Sequence, residues 1–124
     1  MITAVELRDA PFFATSHYLK VRDRASFEFA LVSAAAAMDI KNGKIEAARL
    51  ALGGVATKPW RAKEAEAALI GAAPDVHSFA NAAAAAMKDA KPRKYNGFKV
   101  ELAKRTIVRA LAEVAERYEQ RATK

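Results

Sequence analysis

The sequence predicts an α+β fold: an antiparallel three- to four-stranded sheet, followed by three helices packed on one face. Three observations carry that expectation. Asn42-Gly43 stands between two apolar segments, and this pair is the strongest short-range hairpin signal because a type I′ turn needs positive φ at both central residues. Phe27, Phe29 and Leu31 alternate with Glu28 and Ala30, a strand-like period of two. Beyond Trp60 the apolar residues recur at helical spacing instead, and strands followed by helices is the α+β order.

In chain order, ITAVEL at Ile2 to Leu7 reads as a short strand, and Asp9-Ala10-Pro11 as a turn or linker, since Pro11 lacks an amide donor and pushes Ala10 toward extended geometry. Ser16 to Val21 follows as a second extended piece. The stretch from Phe27 to Leu52 holds a conflict. Its alanine runs, Ala34 to Ala37 above all, favour helix by propensity, whereas Asn42-Gly43 and the closing Gly53-Gly54 do not suit a helix interior. Two long antiparallel strands, residues 27–40 and 45–56, resolve it; small side chains are what a sheet face tightly covered by helices tolerates.

A first helix then carries Ala62, Ala65, Leu69 and Ile70 on one stripe, with Gly71 placed to cap it. The second starts at Pro74-Asp75, buries Val76, Phe79, Ala80, Ala83 and Met87, and stops at Lys91-Pro92. The third, residues 98–121, presents Val100, Ala103, Ile107, Ala110, Leu111, Val114 and Tyr118 as one apolar face. Glu101 with Arg105 and Glu113 with Arg117 stand in the favourable acid-first i,i+4 order, worth about 0.2–0.5 kcal/mol each.

With 124 residues the chain is expected to form one domain. It contains no cysteine, which excludes disulfides, thiolate metal ligands and cysteine nucleophiles. Apolar residues make up 52%, yet no run approaches the roughly 20 that span a bilayer. MITAVELRDAPFF has acids early and no basic leader, so it does not read as a signal peptide. The expected setting is cytoplasmic, or periplasmic where a partner subunit carries the chain there, with no membrane contact. A net charge of +7 raises nucleic acid or an acidic surface as partners. The cations are mostly mixed with acids, and the one short cluster, Lys88 to Lys94, has only Tyr95 beside it for stacking, which weighs against nucleic acid.

No enzyme template is complete. Gly53-Gly54 lacks the rest of a phosphate-binding loop, and His17 and His77 have no partner at metal spacing. Ser26, Ser33 and Ser78 have no neighbouring base pattern, Glu64 with Glu66 reads as a solvated face, and Trp60 as a core anchor at the strand-to-helix junction. No catalytic or metal-binding residue is therefore assigned. The YLKVRDRAS segment is less bland, because Lys20, Arg22 and Arg24 could face an anionic group or an acidic partner.

SHYLKVRDRASFEFALVSAAAAMDI, then LALGGVATKPWRAKEAEAAL, then NGFKVELAKRTIVRALAEV is similar to the C-terminal domain of the FAD-binding subunit of molybdenum hydroxylases. That family includes xanthine dehydrogenase, bacterial aldehyde oxidoreductases and carbon monoxide dehydrogenase. The KVRDRASFEFALVS and LGGVATKPWRA blocks are its specific part. The resemblance implies an antiparallel sheet followed by three helices. It implies residues 1–15 as a remnant strand and linker from a missing FAD-binding domain, and 16–124 as the C-terminal domain itself. It also implies FAD in the complete subunit, gripped by glycine-rich loops this chain lacks and so not bound by this chain alone. Molybdopterin and iron–sulfur (2Fe-2S) clusters belong to partner subunits. Lys20 matches a lysine near the flavin ring system and Ile2 an apolar residue contacting the flavin region. The implied role is to help enclose FAD and assemble an electron-transfer complex, as a non-catalytic part of an oxidoreductase. An isolated copy is expected to cover its orphan surface by pairing with itself. The alternative is a free-standing basic interaction module that binds nucleic acid or an acidic protein.

Overall fold

The computed structural model describes residues 1–6, 9 and 13–123. After one 3₁₀ turn (Phe13–Thr15) come four strands, β1 (His17–Val21), β2 (Val32–Lys41), β3 (Lys44–Gly53) and β4 (Trp60–Arg61). Three helices follow, α1 (Lys63–Leu69), α2 (Val76–Ala86) and α3 (Phe98–Ala122). The strands form one antiparallel meander in the order β1-β2-β3-β4.

The hairpin turns where the sequence placed it. Asn42 has φ 51° and Gly43 φ 70°, the two positive values a type I′ turn demands. A bulge between Asp39 and Ile40 shifts the register from Asp39–Ala47 to Ile40–Ile45, and Glu46 beside it bonds Lys41 at 2.8 Å. The even-numbered residues of β2, Val32, Ala34, Ala36, Met38 and Ile40, are buried, and Ala48, Leu50 and Leu52 face the same way on β3. Onto them α3 lays Ile107, Ala110, Leu111 and Val114, all fully buried. Ala34 and Ala36 matter here because a larger residue would hold the helix off the strands. The alanine run is strand, and the reason is tertiary.

β2 nevertheless starts at Val32, not at residue 27. Phe27 and Phe29 are 91% exposed. Their segment's carbonyls go to side chains in place of a strand ladder: Lys20 Nζ donates to the Glu28 carbonyl, and Arg24 Nη2 donates to that of Phe27 at 3.1 Å. The ladder resumes at Leu31, whose amide reaches the Val21 carbonyl at 2.9 Å. At the other end β3 stops at Gly53, because Gly54 turns the chain with φ 74°. Residues 1–6 form no strand: extended backbone without a neighbour has no partner for its amides. Leu7, Ala10, Pro11 and Phe12 lie outside the described residues.

α1 is tied to the sheet at both ends. The Ala62 amide meets the Leu50 carbonyl at 2.9 Å; beyond the helix, Gly71 donates to Ile45 at 2.8 Å and Ile45 donates to Ala72 at 3.0 Å. Ile70 falls off the stripe and is half-exposed. Asp75 caps α2, accepting from the Ser78 amide at 2.8 Å. This helix leans on α1 and α3, not on strands, so its buried face is Phe79, Ala82 and Ala83, while Val76 and Ala80 point outward. It ends at Ala86, ahead of Lys91-Pro92, because the Met87 and Lys88 amides tighten onto carbonyls three residues back. On α3, Arg105 pairs with Glu101 at 3.0 Å, but Glu113 pairs with Arg109 at 3.0 Å and not with Arg117. Arg117 turns instead to the Ser16 carbonyl, and His17 Nε2 stands 2.6 Å from Glu113.

Candidate functional site

All three helices lie on one side of the sheet, α1 and α3 against the strands and α2 on those two helices, so alternation along each strand decides what the other face presents. On β1, Leu19 packs against the core beside Ala34. Tyr18 and Lys20, which pair with Ala35 and Ser33, therefore lie on the face bare of helices. Across it run Ser33, Ala35 and Ala37 of β2, then Ala51 and Gly53 of β3. No side chain in this central band is larger than serine. Gly53 packs against Ser33, whose hydroxyl would have to rotate away to admit a Cβ there. The result is a shallow groove of about 480 Å³ with an alanine floor, Tyr18 on one side and Arg49 and Arg61 on the other.

Lys20 sits further along β1 on that face, half-buried. Its ammonium is held by the Glu28 carbonyl, so the loop after β1 fixes the cation in place. Arg24 joins the same loop, with Nε 3.9 Å from Glu28 Oε2, while Arg22 stays exposed. Lys20 and Arg24 are thus brought together around Glu28. Ile2 is 86% exposed and belongs to no element of the sheet that carries Lys20.

Glu66 is the residue the sequence reading missed. It is not on a solvated face but is 8% exposed. It takes a bidentate pair from Arg61, Nε to Oε1 and Nη2 to Oε2, both at 2.9 Å. Oε1 also accepts the Leu50 amide at 3.0 Å. Burial pushes this carboxyl up, but the Arg61 hydrogen bonds, the Leu50 amide and the charges of Arg61 and Arg49 together hold it below its ordinary value. The signal was available: an arginine five residues ahead of an acid at a strand-to-helix junction. Trp60 also departs from expectation. Its ring is not in the core but is 47% exposed, lining a cleft on the helix side of the sheet.

Chemically, the open part of this face, around Ala35 and Ala51, offers small side chains between Tyr18 and the cations Arg49 and Arg61, while Ser33 and Ala37 beside it are buried. Cations held in advance stabilise negative charge that develops beside them. Among the described residues no helix is long and apolar enough to cross a membrane.

Residues 17–114 match the model of the CO dehydrogenase flavoprotein C-terminal domain. The chain is similar to the aldehyde oxidoreductase FAD-binding subunit PaoB of Escherichia coli (strain K12), 44% identical over 113 residues, which are 91% of this chain and 32% of that protein. Its fold is similar to that of quinoline 2-oxidoreductase from Pseudomonas putida 86, with TM-score 0.76 and 29% identity over 82% of this chain and 37% of that one. It is equally similar to carbon monoxide dehydrogenase from Hydrogenophaga pseudoflava lacking the Mo-pyranopterin moiety of its molybdenum cofactor, with TM-score 0.76 and 29% identity over 86% of this chain and 39% of that one. The chain spans 32–39% of the length of these relatives.

Proposed function

The chain belongs to the family of CO dehydrogenase flavoprotein C-terminal domains, and from that premise we propose that its bare sheet face closes over a flavin held by the rest of an FAD-binding subunit. The observation that carries this reading is the placement of Lys20. It lies on the one sheet face that the helices leave open, paired with the buried Ser33 and one same-face strand pair away from the exposed Ala35.

The residues present fit one side of FAD and not its pyrophosphate. The glycine pair that could have cradled phosphate is spent on packing: Gly53 sits against Ser33, and a Cβ on Gly54 would lie 2.7 Å from the Leu31 carbonyl oxygen. FAD bound by the remaining polypeptide would supply the redox chemistry. Within this chain, Lys20 would supply a cation to the ring system, with its ammonium oriented by the Glu28 carbonyl. Tyr18 and the alanine floor exclude water from that side. The complete assembly is a molybdenum hydroxylase of the xanthine dehydrogenase or aldehyde oxidoreductase type. Its molybdopterin and iron–sulfur centres lie in partner subunits, and residues 1–15 lead in from the FAD-binding domain.

Lys20→Met in the full-length, FAD-loaded subunit tests the role. Removing the cation disfavours the anionic reduced flavin, so the midpoint potential is expected to fall by roughly 30 mV, one tenfold step for a two-electron couple. An unchanged potential with the fold intact would remove Lys20 from the flavin's surroundings.

A further inference from the structure

The LGGVATKPWRA block is only partly used by the bare face. Its middle, from Gly54 to Trp60, lies toward the opposite side. Trp60 pairs with Leu52, a core-facing residue, so the indole stands on the helix side. There a cleft of about 370 Å³ opens between this loop, the end of α2 and the start of α3, lined among others by Val55, Trp60, Glu64, Met87, Asp89 and Val100. Its size falls in the roughly 300–1,000 Å³ of ordinary ligand sites.

The walls are fixed in advance. Gly54 has φ 74° and lies so close to the loop after β1 that a Cβ would meet the Leu31 carbonyl oxygen at 2.7 Å. From the other side Lys99 Nζ donates to the Gly54 carbonyl at 2.7 Å, tying α3 to the same loop. That bond holds the Lys99 ammonium in place and leaves Lys91, on the loop after α2, as the cleft's other cation. Neither Glu64 nor Asp89 is ion-paired among the described residues. The cleft therefore combines an exposed indole, apolar walls from Val55, Met87 and Val100, and two carboxylates without a salt bridge.

We propose that this cleft receives an arginine side chain presented by a partner protein. A guanidinium is planar, stacks on an indole face and offers a fork of N–H donors that matches a carboxylate. Its methylene stem is apolar and would lie along the aliphatic walls. Lysine brings the same charge without the stacking plane or the fork, and an anionic group would meet both Glu64 and Asp89 while one of the two lysines, Lys99, is already engaged by the Gly54 carbonyl. The site is independent of the flavin reading, because it lies on the other side of the sheet from Lys20.

Trp60 is the only tryptophan in the chain, so its fluorescence reports on the cleft directly. The 124-residue chain is titrated with acetyl-Leu-Arg-Leu-amide and with the same peptide carrying citrulline or lysine in place of arginine. The arginine peptide is expected to give a saturable change in Trp60 emission, with binding at least about tenfold weaker for citrulline and for lysine, one lost charged contact being worth about that factor. Glu64→Gln with Asp89→Asn is expected to abolish the response, with circular dichroism unchanged because both residues are exposed. Lys91→Gln is expected to strengthen binding by removing the like charge. No saturable response, equal affinity for citrulline or lysine, or a double variant that binds like the parent would each overturn the assignment.

Discussion

Glu66→Ala is the most informative single perturbation of the fold. The carboxylate is 8% exposed and accepts three hydrogen bonds, one from the Leu50 amide at 3.0 Å and two from Arg61 at 2.9 Å. Truncation strands the Leu50 amide at the point where β3 runs out of strand partner and α1 begins. Losing a charged acceptor from a buried donor costs about 1.5–3 kcal/mol. The Arg61 contribution is small, since its side chain is 51% exposed and recovers water. Glu66→Ala is therefore expected to destabilise by about 1.5–3 kcal/mol in urea unfolding at neutral pH. Glu66→Gln keeps an acceptor for Leu50 and is expected to cost less.

The same residue fixes a pH dependence. The folded carboxyl lies below its ordinary value of 4.5, so near that pH the unfolded chain binds more protons than the folded one. Its contribution is complete above the unfolded value and is lost as pH falls through the folded one. Between those values stability should decline less steeply in Glu66→Gln than in the parent. A Glu66→Ala variant within about 0.5 kcal/mol of the parent, the range of an ordinary surface change, would refute the reasoning. So would parent and Glu66→Gln curves that fall together in acid.

Two further outcomes test the packing. Gly54→Ala should destabilise more than Gly71→Ala in thermal unfolding. Both positions have positive φ, at 74° and 79°, but only Gly54 would also drive a Cβ into a backbone carbonyl, while nothing lies within 4 Å at Gly71; strain of this kind costs about 1–3 kcal/mol. Ala36→Leu, beneath α3 and 2% exposed, should cost about 1–3 kcal/mol by overpacking, and a neutral result would mean that the helix does not sit tightly on β2.

What the sequence made legible was mostly what local chemistry dictates. Asn42-Gly43 specifies a turn by backbone geometry alone, and the apolar stripe of α3 needs no knowledge of its partner. Lys20 could be singled out from the YLKVR block, but its place on the open face follows from the register with Ser33, which only the paired strands reveal. Phe27 and Phe29 misled because alternation marks a strand only when a ladder is present, and here Lys20 and Arg24 take the carbonyls. Glu66 and Trp60 misled for the same underlying reason. Whether an acid or an indole is buried depends on distant residues, the Leu50 amide in one case and the end of α2 in the other. Glu113 had two arginines at helical distance, and Ser16 together with His17 decided between them.

Closure of this chain over a flavin is tested most directly by mixing it with the separately prepared, FAD-loaded remainder of such a subunit and measuring iodide quenching of the flavin fluorescence. Addition of the chain is expected to shield the flavin. Ala35→Glu, which places a charge on the exposed floor of the bare face, is expected to shield it far less while folding normally. Equal quenching with and without the chain, or stoichiometric FAD binding by the chain alone, would contradict the proposed role.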